Sequence, residues 1–332
     1  MRAGCSILLF CLLVLSIFFP FQEAIAKDKI EWLFEVHGLQ KSHSFNRPQG
    51  MFLDSSQKKI YIADTGNRKV AIFSLSGEAL GIFHAEHPFA APVCIFTDPE
   101  GKIYVSCREK ESLEVFDAKG KFLYPVPSAD FLKKHAFSAG RFVLGPAGRI
   151  YAINREADEI WVFEPNGSLA FRFGGRGSEE GKFQFITDIC FHGEKIYLTD
   201  AQGIPVQVFT TEGKYLYSFG KHGQREEDFS FPQAVCVDRS QRIWVVDAFR
   251  HRVQVFDQQG KLQFGFGSYG TEAGKFCFPI DLDFDNQDRI YILEKSSNRF
   301  QVFQKISDSS HEIEGTKGQG EKKRMQGEKK KM

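Results

Sequence analysis

The sequence predicts an all-β fold, a six-bladed β-propeller with four antiparallel strands per blade, and three observations carry that prediction. A β-branched residue followed by an aromatic one, then Val and Phe about a dozen residues on, occurs six times: at Ile60, Ile103, Ile150, Ile196, Ile243 and Ile290, with Phe73, Phe116, Phe163, Phe209, Phe256 and Phe303. The Ile positions are spaced by 43, 47, 46, 47 and 47 residues, and the Phe positions keep step with them. The sixth copy stops after its third strand, while an unassigned strand-like segment, Ile30 to Val36, stands at the other end of the chain. Repeats of this length with four strands each are propeller blades, and pairing the first segment with the last copy closes the ring and removes its open edges.

Each copy reads the same way. An apolar run such as Ala234 to Asp238 turns into Ile-Trp-Val-Val-Asp, and a loop leads to Val-x-Val-Phe. A glycine turn (Gly77, Gly120, Gly167, Gly213 and Gly260) then opens a strand ending near Phe-Gly. The strands are apolar on both faces, as expected of sheets packed between two neighbours. The 35 Phe residues among 332 are the compositional mark of one structural slot used repeatedly.

The segments flanking the repeats read differently. Residues 1–26 carry Arg2, an apolar run from Ile7 to Phe19 and Ala24-Ile25-Ala26, the pattern of an export signal cleaved near Ala26. The expected location is therefore secreted or periplasmic, with the propeller over 27–306 and no membrane span in the mature chain. Residues 307–332 are almost wholly Lys, Glu, Gly, Gln and Ser, a composition that predicts a disordered charged tail. With 43 basic and 42 acidic residues, nothing in the overall charge favours nucleic acid.

Two segments carry a family resemblance. Phe45-Asn46-Arg47-Pro48-Gln49-Gly50 with Ile60 to Arg68, and Phe229-Ser230-Phe231-Pro232 with Val246 to Arg252, resemble the NHL repeat. The resemblance extends over roughly residues 30 to 304. It weakens in the second to fourth copies, where Cys107 and Asn154 stand in place of Asp.

The fourth position after each Ile ends the second strand and is occupied by Asp64, Cys107, Asn154, Asp200, Asp247 and Glu294. Aligning the first strands by their turns brings Gly50, Cys94, Arg141, Asp188, Ala234 and Asp281 to the same end. Asp64, Asp188, Asp200, Asp247, Asp281 and Glu294 are thus expected around one channel mouth, as candidate ligands for Ca²⁺. Propeller lactonases and amidating lyases, similar in general architecture, hold metals in the channel. The competing role for the strand-end acids is loop capping, with Asp64–Arg68, Asp247–Arg252 and Glu294–Arg299 as pairs, which leaves Asp188 and Asp281 as the better ligand candidates. The nine His residues form no repeated column and no zinc-hydrolase spacing.

A four-residue turn at Pro99 to Lys102 sets Cys94 opposite Cys107, a candidate disulfide. The longest departure from the period, around residues 125–139, carries a short helix signal at Ser128, and Phe131, Lys133, Lys134 and His135 are its candidate partner-binding residues. The function expected is that of a protein- or peptide-binding or scaffolding module using its loop face, with no cofactor beyond possible Ca²⁺ in the channel. The alternative is a Ca- or Zn-dependent lyase or lactonase-like enzyme at the channel mouth.

Overall fold

The computed structural model describes residues 29–40 and 42–306; the predicted signal and tail lie outside the described residues. Six four-stranded antiparallel sheets form six blades. Blade one runs through Gly50–Asp54, Lys59–Asp64, Lys69–Ser74 and Ala79–Ile82, from the channel outward. Blades two to five repeat that order, and the inner strands of all six blades (Gly50–Asp54, Pro92–Thr97, Ala139–Leu144, Ile186–His192, Pro232–Val237 and Pro279–Phe284) surround the axis. Blade six takes its outer strand from Lys29–Val36, which pairs with Arg299–Ile306 in the register Trp32–Phe303 and Val36–Phe300. The expected closure is therefore observed. Arg299, nearly inaccessible, clamps it by donating to Glu35 on the closing strand and to Glu294, at 2.6 Å each.

Six apolar cores lie between successive blades, one of them joining blade six to blade one. One repeated pair of rings holds each. Phe45, Phe89, Phe137, Phe183, Phe229 and Phe276, all buried, precede the inner strands and pack on the third-strand phenylalanines. The six centroid distances, from Phe45–Phe73 to Phe276–Phe303, lie between 5.4 and 5.8 Å. Such pairs bury large apolar area in favourable tilted geometries, and this slot accounts for the phenylalanine bias. Several inner turns are held by an Asp accepting the N–H four residues on: Asp98 from Lys102, Asp238 from Arg242 and Asp285 from Arg289, at 2.7–3.0 Å.

A bulge sits near the start of the inner strand in blades two to six, where two residues oppose one. In blade two it falls at Val93, so Cys94 opposes Ser106, and Cys107 opposes Pro92. This corrects the disulfide expectation. The two thiols face opposite sides of one sheet, Cys94 in the core between blades two and three and Cys107 in the core between blades one and two, and both are free. Among the described residues no helix is long and apolar enough to cross a membrane.

Candidate functional site

The strand-end acids cap loops, as one of the two expected roles required. Asp200 accepts N–H bonds from Gln184, Phe185, Gln202 and Gly203 at 2.7–2.9 Å. Asp247 accepts from Ser230, Phe231 and Arg250, and Asp64 accepts from Asn46 and the Asn67 amide. Glu294 accepts from Cys277 and pairs with Arg299 as expected. The other two expected pairs do not form: Arg68 bonds Glu109 and Arg252 lies beside Glu226. With their lone pairs taken up by backbone and side-chain donors, these four acids are not free to converge on a metal.

Asp188 and Asp281 do meet across the channel, with Arg141 between them. Its Nη1 lies 2.9 Å from Asp281 Oδ2 and 3.3 Å from Asp188 Oδ1, and its Nη2 donates to the carbonyls of Gln49 and Ile280. The carboxylates in turn accept the N–H groups of Met51 and Val235 at 2.8 and 3.0 Å. This hub ties residues of blades one, three, four, five and six across the axis. The guanidinium occupies the place a cation would take between the two acids, so the donor set does not fit the expected Ca²⁺ or Zn²⁺. Among the described residues no cluster of three or more His, Cys, Asp or Glu side chains is placed to hold a metal ion. Desolvation raises both carboxyls, Asp188 to about 6, against the opposing pull of Arg141.

Arg141 closes the channel and divides it into two vestibules. The lower one, about 420 Å³, is lined by Cys94, Cys190, Cys236, Phe96, Phe284 and Asp283. Asp283 accepts N–H bonds from Leu53 and Phe284, and burial pushes its carboxyl up to about 7. The upper one is a funnel of about 360 Å³ on the loop face, with Arg141, Gly140, Thr187 and Ile280 towards its floor. Thr187 and Ile280 are bulge residues of their inner strands, and the bulges turn them into the mouth.

The funnel wall was expected to be acidic and is cationic. The residue after each strand-end position is Thr65, Arg108, Arg155, Ala201, Ala248 or Lys295, and Arg108, Arg155 and Lys295 all line the funnel. Burial, and then Arg108, lower the affinity of Arg155 for its proton; burial, Arg108 and Arg47 do the same to Lys295. These groups are therefore close enough to repel one another. The opposite arc is aromatic. Phe185, Phe231 and Phe278 stand two residues after the buried Phe of blades four, five and six, and Phe249 follows Ala248. Their rings form a ladder: Phe185–Phe231 at 6.2 Å, Phe231–Phe249 stacked at 4.6 Å and Phe249–Phe278 edge-on at 5.9 Å.

The sequence held signals for both arcs. The cationic column is one residue beyond the acidic one, and Arg141 stood in the same first-strand column as Asp188 and Asp281. The segment around residues 125–139 forms a short helix, Ala129–Leu132, capped by Ser128. Phe131 packs on Trp161 and Phe163, His135 stacks on Phe131 at 4.0 Å and Lys133 pairs with Asp130, while Lys134 is exposed. These residues lie apart from the funnel lining.

A family model described as a 6-bladed beta-propeller matches residues 178–249. A search of curated proteins finds no significant match. Among solved structures, the chain is similar to a gluconolactonase from Xanthomonas campestris, at 14% identity and a TM-score of 0.64 over 84% of this chain and 90% of that one. It is similar to a streptogramin B lyase, at 14% identity and a TM-score of 0.60 over 84% and 98%. A virginiamycin B lyase from Staphylococcus aureus, solved with quinupristin, gives 14% identity and a TM-score of 0.57 over 78% and 80%. At such identities the likeness shows the fold. The expectation of a scaffolding or protein-binding module is nevertheless corrected on this finding, because the similar structures are a lactonase and lyases. The loop face also carries a blind funnel of small-molecule size.

Proposed function

We propose that the chain is an enzyme of lactonase or lyase type, acting on a small molecule in the upper funnel. The observation that carries this reading is the blind cavity itself: Arg141 closes it below, and Arg108, Arg155 and Lys295 stand on its wall. Opening a lactone with water breaks its acyl C–O bond, whereas β-elimination breaks its alkyl C–O bond. In the elimination a proton is lost from a carbon beside a carbonyl, a C=C forms and the ring oxygen leaves as carboxylate. The two share one electrostatic demand. Both put negative charge on a carbonyl oxygen before the bond breaks. Guanidinium groups already standing on the cavity wall stabilise that charge with little reorganisation. Lys295, whose proton affinity is lowered by burial and by Arg108 and Arg47, takes the proton as the free amine in this scheme, and as the resulting ammonium faces an acidic ligand or product. The scheme uses no metal, because Arg141 already satisfies Asp188 and Asp281.

In the same reading the chain is an NHL-type propeller, exported on residues 1–26. The motif residues Phe45 to Gly50 and Val246 to Arg252, and the Ala24-Ile25-Ala26 site, support it.

The test is turnover of five- and six-membered sugar lactones and of quinupristin, followed by acid release and product mass. Hydrolysis adds the mass of one water, whereas elimination leaves the mass unchanged. Activity should survive a chelator, and Lys295→Met should lower kcat by about 10²–10⁴-fold. No acceleration on any of these substrates, or a Lys295→Met variant as fast as the parent, would overturn the proposal.

A further inference from the structure

The funnel wall has two halves of different chemistry, and a ligand for it must answer both. On one side stand Arg108 and Arg155 from blades two and three, with Lys295 from blade six beside them. Among the described residues no carboxylate lies within ion-pair distance of any of the three, although the sequence is nearly neutral overall. The Arg155 guanidinium donates to the Ser138 hydroxyl, a neutral partner. Elsewhere on the same face cations are matched, as with Arg68 on Glu109 and Arg250 beside Asp247. Glu156 acts on Arg155 without reaching ion-pair distance, so the three clustered cations still repel each other, and an incoming anion relieves that repulsion.

On the other side the phenyl ladder is open to solvent. Phe185 is 46% exposed, Phe249 55% and Phe278 36%. A single exposed ring is ordinary, but three exposed rings joined through Phe231 into one wall of a cavity form a patch that gains by being covered. The blades separate the two functions. In blades four and five the residue after the strand end is alanine, Ala201 and Ala248, where blades two and three carry arginine. The phenyl column is alanine, Ala91 and Ala139, where blades four to six carry Phe185, Phe231 and Phe278.

From this division we infer that the funnel binds a small amphiphilic organic anion, its carboxylate or equivalent charge on Arg108, Arg155 and Lys295 and its aromatic or apolar body on Phe185, Phe249 and Phe278. This rests on the enzymatic reading only in naming that ligand as the substrate or acidic product. A ring-opened lactone is itself a carboxylate, so product retention and product inhibition follow.

Three probes separate the contributions, each titrated calorimetrically into the full-length chain: 4-phenylbutyrate, butyrate and 4-phenylbutylamine. The acid bearing a ring should bind at least about tenfold more tightly than either control, about 1.4 kcal/mol. Arg155→Gln with Lys295→Gln should weaken 4-phenylbutyrate by about tenfold or more and flatten its salt dependence. Phe249→Ala should weaken 4-phenylbutyrate several-fold and leave butyrate unchanged. These side chains are wholly or partly exposed, and unchanged melting temperatures will show that the variants fold. Equal binding of the amine and the acid, or indifference to both sets of substitutions, overturns the inference. Binding as described without turnover of any lactone would refute the enzymatic proposal and leave the ligand class standing. Turnover of neutral lactones uninhibited by 4-phenylbutyrate would do the reverse.

Discussion

Replacing Arg141 with Met removes the charge at the centre of the ring and leaves the surrounding shape nearly intact. The side chain is 13% exposed and the two partners are 8% and 7% exposed, so what remains is a pair of buried carboxylates facing one another. Removing one side of a buried ion pair costs about 3–5 kcal/mol, chiefly because the charges left behind have neither water nor a counter-charge. Two carbonyls, those of Gln49 and Ile280, lose their donor as well. At roughly 3 °C per kcal/mol for a domain near this size, the melting temperature should fall by about 9–15 °C at pH 8. The pH dependence follows from the sign of the shift. Asp188 is already raised to about 6 from 3.8 and Asp281 is raised as well; without the guanidinium both rise further. A carboxyl raised in the folded state favours folding at low pH and loses that contribution as pH rises through the folded value. The defect should therefore be largest at pH 8 and shrink at pH 5. Adding Asp188→Asn and Asp281→Asn to the Arg141→Met variant should restore part of the loss at pH 8. Calorimetric melting at both pH values measures all of this. A shift below about 2 °C at pH 8, or a triple variant no more stable than the single one, would refute the hub argument.

Three further outcomes are expected. Asp283 carries a half-buried carboxyl raised to about 7 and held by backbone donors, so Asp283→Asn should stabilise the fold by about 2 kcal/mol above pH 7. The advantage should fade as pH drops from about 7 towards 4, and an equal gain at pH 4 and pH 8 would rule out the charge as its cause. Removing residues 29–36 uncovers the edge of Arg299–Ile306 and strips Glu35 from Arg299, so the protein should associate or aggregate on size exclusion, and a synthetic 29–36 peptide should return it to monomer. A monomer of parental stability without that strand would contradict the closure. Denatured, unreduced protein lacking residues 1–26 should titrate five thiols, from Cys94, Cys107, Cys190, Cys236 and Cys277, whereas three would indicate a bridge.

The sequence determined the ring. Six copies with two positions in step, together with a missing strand at one end and a spare strand at the other, fix blade number, strand order and closure. Each of these is set by local periodicity and by the cost of an open edge. It also located the hub residues, since Arg141, Asp188 and Asp281 occupy one register position, but it did not show which of them would meet. Tertiary structure decided that. The bulges near the start of the inner strands shift register by one residue, which separated Cys94 from Cys107 and turned Thr187 and Ile280 into the mouth. The curvature of the ring then brought Arg141 across the axis onto two acids contributed by blades four and six. A column read along the chain gives the angle at which a residue stands around the ring, but not whether its neighbour in space bears the opposite charge. The mouth expected to be acidic is therefore cationic: its acids turn aside to cap backbone, and the cations one residue beyond them face the cavity.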